Sequence, residues 1–123
     1  MTLIEAINRI DTLKPNAYGQ PEKVKWLSTL DGIIKKEIID THEGADKVTF
    51  NGYDDNTVLT TELLVPAPYD DIYLRWLDAQ IDYANGEYSR YNNDVQAYND
   101  AYLAFEKYYN RTHMPKGKKF KFF

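Results

Sequence analysis

Between Tyr88 and Tyr109 the apolar and aromatic positions fall at Tyr88, Tyr91, Val95, Tyr98, Tyr102, Phe105 and Tyr109. The gaps alternate three and four residues, so these side chains share one face of an α-helix and not one face of a strand. Ala97, Ala101, Ala104 and Tyr108 make a second seam beside the first, wide enough for the helix to meet more than one neighbour. Asn92, Asn93, Asp94, Gln96, Asn99, Asp100, Glu106 and Lys107 fall on the other side and are assigned to water. At about 1.5 Å of rise per residue the helix would run roughly 33 Å, the length of a small domain.

Three shorter helices precede it. Thr2 and Glu5 form a capping-box pattern ahead of the stripe Leu3, Ile7 and Ile10, with Ile4 beside it, and Pro15 ends that element. Pro21 suits the first turn of a second helix with Val24, Leu27, Leu30 or Asp31, Ile34 and Ile38 on its inner face, widened by Trp26, Ile33 and Ile39. Glu22, Lys23, Lys25, Lys35, Lys36 and Glu37 cover its outer face, and the end is expected between Asp40 and Gly44. Gly32 inside it costs about 1 kcal/mol against alanine, which implies either a close neighbour or a bend. A third helix begins near Pro68, with Asp70 and Asp71 at its positive end. Its inner arc is Tyr69, Ile72, Tyr73, Trp76, Leu77, Tyr83 and Ala84, extended by Leu74 and Ile81. Asn85-Gly86 then breaks the pattern, so the last two helices form an antiparallel pair.

Residues 45–67 read differently. Lys47-Val48-Thr49-Phe50 and Val58 to Val65 are rich in β-branched residues, with Asn51-Gly52 and Asp54-Asp55-Asn56 supplying turn chemistry between them. The expectation is a short β-hairpin or extended excursion between helices two and three. A lone hairpin is marginal in water, so it should lie on the helices or on another subunit's edge. The predicted fold class is therefore mainly α: a small four-helix bundle-like domain, residues 1–113, with a β excursion at about 45–67 and a C-terminal tail, 114–123.

A chain of 123 residues supports one core without metals or disulfides, and cysteine is absent. Of the aromatic residues 11 are tyrosine, which suits both a thin core and a protein interface. Met1 to Ile10 lacks a basic segment followed by a long apolar run, so neither a signal peptide nor a membrane helix is expected, and synthesis in the cytosol is. The formal charge of −4 is uneven. Residues 111–123 carry +5 and no acid, and the preceding 110 carry −9, from 10 basic and 19 acidic side chains. An acidic body does not attract a phosphate backbone, whereas a short basic tail can.

Candidate chemistry is sparse. His42 and His113 lie at helix ends with no second histidine at ligand spacing; Asp40 and Glu43 flank His42, yet a capping or surface role is expected for it. Ser28 and Ser89 lack the sequence surroundings of an activated nucleophile. Asp78 and Asp82 share a face and read as a solvated edge, and no carboxylate pairs recur across two helices as an all-α metal-dependent hydrolase would need. The six glycines are isolated, so no phosphate loop is indicated. The expectation is a non-enzyme without metal or cofactor. Lys116, Lys118, Lys119, Phe120, Lys121, Phe122 and Phe123 interleave cations with aromatics, a composition able to stack on nucleic acid or to enter an acidic, partly apolar groove on a protein.

Four segments go further: Thr41-His42-Glu43-Gly44, Leu63 to Tyr73 (LLVPAPYDDIY), Arg90-Tyr91-Asn92-Asn93 and Tyr109 to Pro115 (YNRTHMP). Together they resemble a group of small proteins encoded in prophages of Gram-positive gut bacteria beside the head and packaging genes. In architecture that group is similar to phage head–tail connector, or adaptor, proteins. The resemblance implies a structural virion protein that assembles in the host cytoplasm as a homo-oligomeric ring of about a dozen subunits. It further implies contact with portal and tail proteins, DNA only passing through, no membrane, and a C-terminal segment docking on the portal. The alternative is a small prophage-encoded binding or regulatory protein that uses its basic tail on nucleic acid or a protein partner.

Overall fold

The computed structural model describes residues 1–117. Four α-helices carry the fold: α1 (Leu3–Leu13), α2 (Gln20–Glu37), α3 (Asp71–Ala84) and α4 (Tyr88–Thr112), with 3₁₀ turns at Ile39–Thr41 and Ala45–Lys47. The capping box forms as the pattern predicts: Glu5 N–H donates to Thr2 Oγ1, and Thr2 N–H donates to the Glu5 carboxylate. α1 buries Leu3, Ala6, Ile7 and Ile10 against α2 and α3, and Pro15 follows its end. Pro21 occupies the first turn of α2, whose inner face buries Val24, Leu27, Leu30 and Ile34. α3 and α4 are joined through Asn85-Gly86, where Gly86 takes a φ of +75°, and they make the most extensive helix pair.

The expected hairpin is not seen; no strand forms among the described residues of 45–67. The two segments that should pair are each drawn to a different partner. Leu3 and Ile4, whose N–H groups have no acceptor within α1, donate to the carbonyls of Thr61 and Leu59, and Leu63 N–H donates to Met1 O. The excursion thus spends its backbone on the exposed end of a helix, leaving one isolated bridge, Thr2 to Glu62. Asp54 closes a tight turn by accepting from Asn56 N–H through its carboxylate and from Thr57 N–H through its carbonyl.

The second anchor is Asp31, fully buried in the middle of α2. It accepts from the Tyr73 hydroxyl at 2.6 Å, the Tyr53 hydroxyl at 2.6 Å and Leu64 N–H at 3.1 Å. Tyr73 in turn accepts from Val65 N–H at 2.7 Å, so a single carboxylate ties α2, α3 and both limbs of the excursion together. Burial raises the Asp31 pKa despite the opposing hydrogen bonds, and burial beside the Asp31 charge pushes both tyrosines well above their ordinary range.

Several side chains assigned from the pattern lie elsewhere. Lys23 is buried, its ammonium donating to Tyr18 O at 2.5 Å and pairing with Asp11 at 2.6 Å, because a long apolar stem can cross the core while its head is satisfied at the edge. Tyr83 and Ala84 are exposed at the end of α3, beyond the reach of the core. Along α4 only Phe105 and Tyr109 are fully buried; Tyr88 is exposed, and the stripe between is half-buried. No helix among the described residues is long and apolar enough to cross a membrane.

Candidate functional site

The α3–α4 pair assembles a carboxylate cluster beside its connecting turn. Asp78 and Asp82 stand one helical turn apart on α3, and α4, returning antiparallel, brings Asp94 against them. Carboxylate oxygens of all three lie within 4.8 Å of one another. Lys14, the residue that ends α1, puts its ammonium 2.5 Å from Asp78 Oδ1 and 2.5 Å from Asp82 Oδ2. Burial works against the Lys14 charge, but the two carboxylates outweigh it and hold its pKa above the ordinary value.

The three acids differ in environment. Asp82 is 1% exposed. Burial acts to raise its pKa, but hydrogen bonds from Asp94 and Lys14 prevail and lower it. Asp94 Oδ2 is sealed from solvent and has no hydrogen-bond donor among the described residues. Burial, the bond to Asp82 and the charges of Asp78 and Asp82 push the Asp94 carboxyl up to about 7. Two expectations are corrected here. Asp82 is no solvated edge, since α1 closes over it with Lys14. Asp94 is half-buried with its Oδ2 sealed, since the half-buried stripe passes through position 94 as readily as through Val95. A carboxylate set drawn from two helices, which the spacing did not suggest, is therefore present.

The second constellation closes the C-terminal end. His42 is 4% exposed, so of the capping or surface role expected for it the surface alternative is corrected, and the ring bonds the carbonyl of Ile38 at the end of α2. Its Nδ1–H donates to Ile38 O at 2.6 Å, and Nε2 meets the Asn110 carboxamide at 2.7 Å. The ring packs T-shaped against Tyr109 at 4.9 Å, and His113 stacks on the face of that tyrosine at 3.7 Å, with 6.4 Å between the two histidine rings. With both nitrogens engaged, His42 fastens α4 to the end of α2 and is not poised to hold a metal with Asp40 and Glu43. Thr41–Glu43 and Met114–Lys116 then run side by side: Glu43 N–H donates to Met114 O at 2.7 Å, and Lys116 N–H donates to Thr41 O at 2.9 Å.

Of the sequence-predicted docking residues, Lys116 is exposed at the end of this seam. Lys118, Lys119, Phe120, Lys121, Phe122 and Phe123 lie outside the described residues. The chain therefore enters its basic aromatic segment directly from a backbone-paired edge of the body. Exposed large apolar side chains occur at several points of the surface. Tyr83 and Tyr88 lie at the α3–α4 turn, where Tyr83 contacts the rings of Tyr88 and Tyr91; Leu13, Val58, in the excursion, Leu103, on α4, and Met114, after it, are also exposed. A shallow groove of about 530 Å³ runs between Arg9 and Asp70, lined also by Glu5, Asn8 and Thr12.

The chain matches no protein-family model, and no curated protein or solved structure matches it.

Proposed function

We propose that this is a structural phage protein, a head–tail connector that oligomerises and joins the portal to the tail. One observation carries the reading: α4 presents exposed apolar side chains well apart along its length, Tyr88 beside Tyr83 at the α3–α4 turn and Leu103 further on. Measured along α4, Tyr88 and Leu103 are about 22 Å apart. A ring subunit needs two different surfaces that meet head to tail, whereas a two-fold dimer needs one self-complementary surface. The acidic body, −9 over residues 1–110, suits the wall of a channel along which DNA slides without adhering. The basic aromatic tail is the arm that docks on the portal, and it starts from an edge fixed by Thr41 and Glu43.

The test is the mass in solution, by light scattering over a concentration series, of the protein alone and mixed with its cognate portal. A ring of many copies, or a stoichiometric complex with the portal, is expected. Truncation after Gly117 removes the tail but spares the paired residues 114–116, so it should abolish portal binding with an unchanged unfolding midpoint. A monomer that ignores the portal would overturn the reading. If that monomer bound DNA with an affinity falling steeply with salt, and lost it on truncation, tail-mediated nucleic-acid binding would take its place.

A further inference from the structure

The carboxylate cluster has a property that assembly does not require. Lys14 satisfies Asp78 and Asp82, but its ammonium is committed to those two, and Asp94 Oδ2, buried against them, has no hydrogen-bond partner among the described residues. Two carboxylates in contact repel when both are ionised and attract when one carries the proton, as O–H donor to the other. The charged groups around the contact are Lys14 from the end of α1, Asp78 on α3 and Arg90 on α4. The three acids therefore outnumber the nearest ammonium, and Arg90, whose side chain is exposed, offsets the excess only in part.

We propose that Asp82 and Asp94 form a one-proton latch that holds the N-terminal half of α4 on α3, closed when the pair shares a proton and loosened when it does not. The geometry gives the latch something to control. α4 buries Phe105 and Tyr109 in its C-terminal half and no residue fully between Tyr88 and Ala104. That first stretch is held by half-buried ring contacts, Tyr83 to Tyr91 at 5.0 Å and Trp76 to Tyr98 at 5.1 Å, with the acid pair between them. Asp94 is the member that carries the proton: its carboxyl is pushed up to about 7 by burial and its acidic neighbours, while Asp82 is held low. A folded-state value above the unfolded one means the folded chain binds the extra proton. The stabilisation is full below about pH 4, where an unfolded aspartate titrates, and is lost as pH rises from there through about 7.

The test uses the full chain with chelator present. Carboxyl-carbon NMR titration should show Asp94 changing near neutral pH with a mirrored step at Asp82. Amide exchange, corrected for its intrinsic pH dependence, should accelerate several-fold across that step for residues 88–98 and stay level for residues 105–112. Asp94→Asn keeps a donor toward Asp82 and cannot titrate, so the step in exchange should vanish in that variant. An Asp94 carboxyl titrating in the ordinary range near 4 overturns the proposal, and this wild-type result stands even if the variant fails to fold. A step that persists in Asp94→Asn also overturns it. So does, in a parallel measurement without chelator, a stabilisation at alkaline pH specific to millimolar magnesium or calcium, which would make the cluster a cation site.

Discussion

Replacing Tyr73 by phenylalanine tests whether one buried carboxylate organises the region that failed to become a hairpin. The ring is fully buried, so Tyr73→Phe keeps its packing and removes only an oxygen. That oxygen donates to Asp31 at 2.6 Å and accepts from Val65 N–H at 2.7 Å. A hydrogen bond to a charged acceptor contributes about 1.5–3 kcal/mol net, and a buried amide left without a partner costs about 1–3 kcal/mol. Val65 is fully buried, so water cannot replace the hydroxyl, and the expected loss is about 3–5 kcal/mol. Tyr53→Phe is the control. It removes an equally short bond to Asp31, but Oδ2 keeps Leu64 N–H, Tyr53 is only half-buried, and the loss should stay near 1 kcal/mol. Urea unfolding followed by the fluorescence of Trp26 and Trp76 measures both variants. With a slope of about 1–3 kcal/mol per molar urea, the two midpoints should differ by roughly 1–2 M. Equal midpoints would refute the reasoning, because they would mean that Val65 and Asp31 are satisfied without Tyr73.

Two further substitutions probe other parts of the fold. His42→Ala removes the donor to Ile38 O, the partner of Asn110 and a ring packed on Tyr109, and should cost about 2–4 kcal/mol in the same unfolding experiment, with faster amide exchange at Glu43 and Lys116. A loss under about 0.5 kcal/mol would place His42 outside the core. Gly32→Ala should stabilise by about 0.5–1 kcal/mol, since a Cβ there meets only Phe50 Cε2, at an ordinary 3.7 Å, and the helix is otherwise regular; a lower melting temperature would show that Phe50 cannot yield that space.

The helices were legible because each announces itself twice, by period and by punctuation. Thr2 with Glu5, Pro15, Pro21 and Asn85-Gly86 mark ends that the 3.6-residue stripes independently require, and the structure puts them there. The excursion was misread because β-branched content reports only that a segment suits an extended, half-buried path. Whether that path pairs with itself depends on competing acceptors and donors, here the free amides of Leu3 and Ile4 and the carboxylate of Asp31, which are distant in sequence. The cluster was missed for a related reason. Lys23 and Asp94 were assigned to water by type, although each occupies a position compatible with the inner stripe of its helix, as Asp31 was seen to do. Asp94 lies three residues after Tyr91 and four before Tyr98, the spacing of the stripe itself. A polar residue on a core register was the available signal; what it meets there is a tertiary fact.

The polar core positions divide α4 by the kind of interaction that holds it. Toward its C-terminus, Phe105 and Tyr109 are buried and His42 bridges to Asn110, so attachment rests on apolar area and on hydrogen bonds shielded from water. Toward its N-terminus, half-buried rings and the Asp82–Asp94 contact replace that burial, and such contacts respond to pH and to anything that covers them. The exposed Tyr83 and Tyr88 sit on this responsive half, and the paired edge leading to the tail sits on the firm half. On the connector role proposed above, this division would keep the edge that leads to the tail constant while the tyrosine-rich surface adapts to a neighbour. It also predicts where adaptation should occur: between Tyr88 and Tyr98, before the helix reaches its buried anchor at Phe105.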